Sequence, residues 1–278
     1  MDVQRISAFS HDGTGGNPAG VVIGESLPDP ATMQRVAAEV GYSETAFVAI
    51  APGATVAEVR YYSPDAEVDF CGHATIATAV ALAEARGPAS FEFRTKAGSV
   101  HVEAAVEGGS ATATLTSVTP KVTPAPVSLL DALLPLLGWS PEDLDPVLAP
   151  ALSYAGAWHL VLGTVSLSTL ESLAYDFAGV RSLMLEHGLT TLQLVHRTAP
   201  TEFRSRNPFP VGGVVEDPAT GAAAAALGAY LRHYGLVRPP ADVTIVQGVE
   251  MGAPSLIRVA VPAGDAGIRV TGAAHRLG

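Results

Sequence analysis

A chain of 278 residues is long for one hydrophobic core and points to two domains of ordinary size. Its 48% apolar and 15% charged residues exclude a disordered chain, and its formal charge of −11 argues against nucleic acid or an anionic membrane surface as a partner. The single cysteine, Cys71, excludes an intramolecular disulfide and a zinc site built from cysteines.

The N-terminal stretch MDVQRISAF lacks the basic-then-apolar layout of a signal peptide. Strands are predicted over Val3 to Phe9 and Ala19 to Ile23, joined by the Gly-rich connection HDGTGGNP. Because a strand rather than a helix follows that connection, it does not read as a phosphate-cradling loop. Helical spacing of Met33, Val36, Ala37 and Val40 predicts a helix over Pro30 to Val40, stopped by Gly41. A strand pair, Ala46 to Ile50 and Val56 to Tyr62, follows across APGA. Next comes EVDFCGHATIATAVALAEA, Glu67 to Ala85, and then two β-alternating stretches, FEFRTKAGSVHVEAAV and ATATLTSV.

The Pro-rich segment PKVTPAP marks an expected domain boundary, giving an N-terminal domain 1–118 and a C-terminal domain 119–278 whose last strand crosses back to the first. In the second half a helix is predicted over Ser128 to Leu137. Strands are predicted at His159 to Leu162, Leu192 to His196 and Thr201 to Ser205. The Ala-rich segment VVEDPATGAAAAALGAYL, Val214 to Leu231, precedes strands at Val243 to Gln247, Leu256 to Val261 and Ile268 to Thr271.

The segments beginning at Glu67 and Val214 share one plan: a β-prone stretch, an acidic residue, a small-residue turn, then a helix apolar nearly all round. Such a helix must be surrounded rather than laid on a surface. Two of them among many short strands predict an α/β (α+β) fold of two pseudo-symmetric domains, each a barrel-like, mostly antiparallel sheet around a central helix. Neither helix reaches the roughly 20 residues needed to span a bilayer, so a soluble protein is expected, and the single cysteine fits a reducing cytoplasm.

Helix starts attract carboxylates through unpaired N–H groups and the peptide dipole. A small anionic molecule lying between the two starts would have His73 and Asp217 beside it, and this favours a small-molecule enzyme. Glu44, in GYSETAFV, fits either a solvated turn residue or a carboxylate whose apolar neighbours disfavour its charge and suit it to proton shuttling. His73 follows Gly72 at a helix opening, where the dipole favours neutral imidazole. Cys71 reads either as a nucleophile or base or as a small buried residue. Asp217 reads as the N-cap of its helix with Pro218 as first residue, a role compatible with orienting a substrate amine or hydroxyl. Gly72 and Gly221 let backbone N–H groups approach a ligand. The remaining histidines are scattered and read as structural, and no HExxH, GxSxG or metal-ligand spacing is present.

Five stretches, GNPAGVV, GYSETAFV, YYSPDAEVDFCGHAT, EDPATGAA and QGVEMGAPSLI, occur in an order that resembles the phenazine-biosynthesis isomerase-like family of the diaminopimelate epimerase superfamily. The resemblance implies the two-domain fold with an active site in the cleft between domains, isomerase chemistry without cofactor or metal, and a homodimer. In the phenazine enzyme a glutamate shuttles a proton across a cyclic amino-acid substrate, dihydro-hydroxyanthranilate, and the matching position here is Glu44. His73 and Asp217 match the residues that hold the substrate, and Gly72 and Gly221 match the N–H groups that receive its carboxylate. Asn17, in the first stretch, and Ala222 are placed with the substrate-binding set. Ala222 stands where the phenazine enzymes commonly carry Ser, which removes a side-chain donor. Two-thiol racemisation needs a second cysteine that this chain lacks. The expected activity is proton transfer on a small, carboxylate-bearing, amino acid-like substrate. A lyase or epimerase using Cys71 with a non-thiol partner, or a non-catalytic carboxylate-binding protein, are the other readings.

Overall fold

The computed structural model describes residues 1–107 and 110–278. The chain forms two compact units, Met1–Thr116 with Thr271–Gly278, and Ser117–Val270. The first unit begins with β1 (Gln4–Ala8), β2 (Asn17–Gly24), α1 (Pro30–Val40), β3 (Glu44–Ala49), β4 (Val56–Tyr62) and β5 (Glu67–Val68). It continues with α2 (Gly72–Arg86), β6 (Ala89–Thr95), β7 (Gly98–Glu107) and β8 (Ser110–Thr116). The second unit holds β9 (Lys121–Pro124), α3 (Val127–Leu137), β10 (Ala151–Tyr154), β11 (Trp158–Gly163), α4 (Leu167–Glu171) and α5 (Phe177–Glu186). After these come β12 (Thr191–Ala199), β13 (Glu202–Arg206), α6 (Gly221–His233), β14 (Ala241–Gln247) and β15 (Ser255–Val261). The last strand, β16 (Arg269–Arg276), returns the chain to the first unit.

In the first unit the strand order β1-β2-β3-β4-β6-β7-β8-β16 closes on itself, because β16 also pairs with β1. The pairs β2–β3 and β4–β6 are parallel and the other registered pairs are antiparallel. Parallel neighbours need a crossover, which α1 and α2 supply. Helix α2 runs inside the ring, touching β1, β2, β3, β7 and β8. Every residue from His73 to Ala83 is buried. Alanine makes this possible, since its short side chain lets strands approach on all sides while keeping high helix propensity.

The second unit repeats this logic. Its order is β9-β10-β11-β12-β13-β14-β15, with β11–β12 and β13–β14 parallel and the remaining pairs antiparallel. Helix α6 touches both end strands, β9 and β15, as well as β10, β11 and β12, so the sheet curls around it. Gly228 lies where a Cβ would be 2.8 Å from Val259 and 2.9 Å from Ile268, which sets how closely helix and strands pack. Each unit is therefore a barrel-like, mostly antiparallel sheet around a central apolar helix, as the composition of the two helices predicts. Among the described residues no helix is long and apolar enough to cross a membrane.

Several details depart from the sequence reading. The Pro-rich segment contains a strand, β9, tolerated because it ends the sheet order and a proline's missing donor is harmless at an edge. Strand β10 and helices α4 and α5 went unanticipated. In α5 only Val180 and Met184 are buried, too few to register as a face, although Asp176 caps it by accepting from Ala178 N and Gly179 N. The last strand runs on to Arg276, drawn out by ring closure between β8 and β1; Thr114 and Thr271 share a hydroxyl hydrogen bond of 2.7 Å there.

His159, on β11, is fully buried, with Nδ1 2.8 Å from the Thr191 hydroxyl. That hydroxyl donates to Asn207 Oδ1 at 2.6 Å, so the imidazole must donate from Nδ1 and leave Nε2 bare in the core. Burial pushes this imidazole down to about 3 from an ordinary 6.5. The unfolded chain therefore binds one more proton than the folded chain between those values, and stability must fall as pH is lowered through that window. The slope from this group is about 1.4 kcal/mol per pH unit. Urea unfolding of wild type and His159→Gln between about pH 4 and pH 6 should show the variant's pH dependence flatter by about one proton; equal slopes would refute the assignment.

Candidate active site

The first cluster is built where β3 begins and α2 begins. Gly41 ends α1 in the left-handed conformation, φ 71°, and turns the chain so that Ser43 and Glu44 lead into β3. Glu44 lies opposite Ala19 of β2, and Asn17, two residues before Ala19, is buried on the same sheet face. Cys71 is the N-cap of α2, with extended backbone, and its side chain makes no capping hydrogen bond.

The N-cap carbonyl is fixed from behind. Thr75 donates its hydroxyl to Cys71 O at 2.6 Å, so Tyr61, 2.6 Å from the same hydroxyl, must be the donor in that second bond. Burial raises the Tyr61 phenol above its ordinary range and keeps the donor proton in place. Tyr61 and Thr75 are the two ends of the stretch YYSPDAEVDFCGHAT, but their bond to each other appears only in the folded chain.

Three chemically active groups meet at that start. Cys71 Sγ lies 3.4 Å from Glu44 Oε2 and 3.4 Å from His73 Nδ1. His73 Nε2 lies 3.5 Å from the same carboxylate oxygen and 3.4 Å from Ser43 Oγ. The Glu44 side chain is 17% exposed and that of His73 is 7%, so the cluster is sheltered with the carboxylate reaching furthest toward solvent. The neighbours of Glu44 thus include a thiol and an imidazole. Gly72, between Cys71 and His73, would carry a Cβ into open space, with nothing within 4 Å.

The second cluster lies in the other unit and contains Asp217, Gly221 and Ala222. Here the expected N-cap is corrected: α6 begins at Gly221, Thr220 is its N-cap, and Pro218 lies outside the helix. The bracing group is Gln247, at the end of β14, which opens the stretch QGVEMGAPSLI but carries no local sign of its link to this turn. Its Nε2 donates to Asp217 O at 2.6 Å and to Thr220 Oγ1 at 3.1 Å, while its Oε1 accepts from Thr220 N at 3.3 Å. Gln247 thereby holds the Asp217 carbonyl and Thr220 together in the turn that precedes the helix. Thr220 donates its hydroxyl to Asp217 Oδ2 at 2.5 Å, and Asp217 N donates to Asn207 O at 3.0 Å. Gly248, at φ 74°, packs so that a Cβ would sit 2.7 Å from Pro218 O. Arg206 anchors the loop's other end in a buried pair with Glu216, its Nε donating at 3.1 Å and its Nη1 bonding the carbonyls of Leu170, Glu171 and Leu173.

Helices α1, α4 and α5 start with a side chain accepting from their first N–H groups, from Asp29, Ser166 and Asp176. Helices α2, α3 and α6 start at Cys71, Pro126 and Thr220 without such a bond.

The whole fold matches one family, described as phenazine biosynthesis-like protein, over residues 6–277. The chain belongs to the phenazine biosynthesis-like family. Its curated relatives are named isomerases, one of them of a small molecule. The chain is 30% identical to the uncharacterized isomerase YfhB of Bacillus subtilis (strain 168), covering 98% of this chain and 95% of that protein. It is 32% identical to the trans-2,3-dihydro-3-hydroxyanthranilate isomerase of Pseudomonas fluorescens, covering 91% of this chain and 87% of the relative. A crystal structure of a phenazine biosynthesis protein of the PhzF family from Bacillus anthracis superposes with a TM-score of 0.86 at 25% identity, covering 100% of this chain and 98% of that one.

Replacing Gln247 by Leu leaves the Asp217 carbonyl and the Thr220 N–H without this partner, at a cost of about 1–3 kcal/mol. Urea unfolding at fixed pH should show that loss as a lowered midpoint with an unchanged slope; a midpoint equal to wild type would remove Gln247 from its place as the organiser of this loop.

Proposed function

We propose that this member of the family is a cofactor-independent isomerase that moves a proton between carbons of a small, carboxylate-bearing, amino acid-like substrate. Glu44 takes the proton from one carbon and returns it to another, acting as base and then acid. The observation that carries this reading is the convergence of Glu44, His73 and Cys71 within 3.4–3.5 Å at the start of a buried helix. The thiol and imidazole both approach Oε2 of the carboxylate, and its partial exposure leaves a face for substrate.

His73 and Asp217 orient the substrate's polar groups, and Asn17 contributes from β2. The N–H groups at Gly72 and Gly221 receive the carboxylate and stabilise negative charge as it develops. That the reaction runs in a cleft between the units belongs to this proposal too, as do the cytoplasmic location and the homodimer. The likeness to an isomerase of trans-2,3-dihydro-3-hydroxyanthranilate makes cyclic amino acids the first substrates to try. Ala222, half-buried at the second position of α6, offers no hydroxyl and favours a substrate that does not need that donor.

Proton NMR in D2O, across a panel of cyclic and acyclic amino and hydroxy acids, tests the assignment. Wild type should carry deuterium into one substrate, and Glu44→Gln should slow that by at least about a hundredfold. Undiminished exchange in Glu44→Gln would end the proposal.

Cys71 supports a second reading, as a proton-transferring group with a non-thiol partner, because its sulfur lies 3.4 Å from Glu44 Oε2. A fully active Cys71→Ala would dispose of it.

Gly72→Ala separates binding from folding. The added methyl meets no protein atom within 4 Å, and alanine is the better helix former, so thermal stability should hold or rise slightly. Under the proposed role the methyl enters the space of the substrate carboxylate, and KM should rise at least about tenfold, a loss of about 1.4 kcal/mol. An unchanged KM would show that the ligand does not approach Gly72.

A further inference from the structure

The Glu44, Cys71 and His73 ligand atoms all lie within 4.8 Å of one another, and they bring one oxygen, one sulfur and one nitrogen donor to a single point. The triangle formed by Glu44 Oε2, Cys71 Sγ and His73 Nε2 has sides of 3.4, 3.9 and 3.5 Å. Zinc bonds of roughly 2.3 Å to sulfur and 2.0–2.2 Å to nitrogen and oxygen, at tetrahedral angles, require ligand separations of about 3.3–3.6 Å. The three side chains therefore stand close to the spacing that three corners of a zinc tetrahedron demand. The sulfur is nearly equidistant from both ring nitrogens, 3.4 and 3.9 Å, which puts it beside the ring. Binding would turn the imidazole about its Cβ–Cγ bond to aim a lone pair at the ion.

We propose that this cluster binds Zn2+, or a divalent ion of similar softness, through Cys71, His73 and Glu44, and that binding switches off proton transfer. The inhibitory half rests on the proposed role of Glu44; the binding half does not. The mixed donor set selects the ion: Mg2+ and Ca2+ take oxygen ligands, whereas zinc accepts thiolate, imidazole and carboxylate together. Three protein ligands leave the fourth corner to water. The thiol proton passes to the buffer as the sulfur–metal bond forms, with no change in oxidation state. The carboxylate that would carry the proton then becomes a metal ligand through Oε2, and the cation's charge lowers the basicity of the whole group. Inhibition follows from occupation of the base itself, so this site regulates the activity without supplying a cofactor for it.

Co2+ is the probe, because a thiolate–cobalt bond has a near-ultraviolet charge-transfer band. Titrating the whole protein with Co2+ should give that band at one ion per chain. Excess Zn2+ should abolish it and Mg2+ should not. Cys71→Ser should lack the band, and His73→Gln and Glu44→Gln should each weaken Co2+ binding at least about tenfold. A raised melting temperature with Zn2+, absent in Cys71→Ser, gives a second readout and shows that the variant is folded. No band, or a band that persists in Cys71→Ser, overturns the site. Deuterium exchange measured with and without stoichiometric Zn2+ tests the inhibition. Full exchange by the zinc-loaded protein overturns the inhibitory half. Failure to find any exchanging substrate would instead count against the proposed isomerase reading, and the cobalt band would still decide the metal site.

Discussion

Everything at the first cluster depends on burying a helix on all sides. Eleven consecutive residues of α2, His73 to Ala83, are enclosed by the ring of strands, so the helix has no solvent face on which to carry polar chemistry. Its start is where backbone N–H groups and polar side chains emerge together. Enclosure also makes that start rigid, because the strands that bury the helix fix its axial position. The Tyr61–Thr75–Cys71 chain of hydrogen bonds adds a polar lock where the apolar packing ends. Such support lets side chains be held at hydrogen-bonding distance without the backbone strain that loop-borne sites often need.

The two units repeat one pairing scheme, and the repetition shows where they differ. Glu44 opens β3, the strand paired in parallel with β2; its counterpart opens β12, paired in parallel with β11, and that residue is Thr191. Thr191 is buried and engaged by His159 and Asn207, so it serves the core. The N-cap position is Cys71 in α2 and Thr220 in α6, and Thr220 is engaged by Asp217 and Gln247. Titratable groups cluster at the first start. At the second, a carboxylate is held by a hydroxyl inside a braced loop. The duplicated scaffold has been spent on two different tasks.

Much of this was legible in the sequence, for physical reasons particular to each element. A run such as GHATIATAVALAEA can only be a surrounded helix, because no polar stripe exists to face water, and that alone implies a curved sheet. Helix α1 was legible to the residue because the spacing of Met33, Val36, Ala37 and Val40 and the stop at Gly41 are local signals. The start of α6 was misread because the signals Asp217 and Pro218 were local while the deciding group, Gln247, comes from 30 residues downstream. The approach of Cys71 to Glu44, 27 residues apart, was hidden for the same reason. Identities of candidate residues follow from local chemistry; their distances are set by strand pairing and appear only when the sheet is assembled.

The arrangement of the first cluster also bears on reaction class. Inverting a carbon by proton transfer needs donor and acceptor on opposite faces of that carbon, and racemases with two opposed thiols meet the need symmetrically. Here the thiol and the candidate carboxylate are neighbours 3.4 Å apart, on the same side of any substrate that contacts both. Two groups so close cannot flank one carbon. They can serve two carbons of one face in turn, as a single carboxylate does when it accepts a proton at one position and delivers it at another. Under the proposed role of Glu44, this placement favours a proton shift along the substrate over inversion at a centre. Partial exposure of the carboxylate then sets a competition between direct return of the proton and exchange with water. The fraction of substrate-derived hydrogen retained in product measures how well the bound substrate covers that 17% of exposed Glu44 side chain.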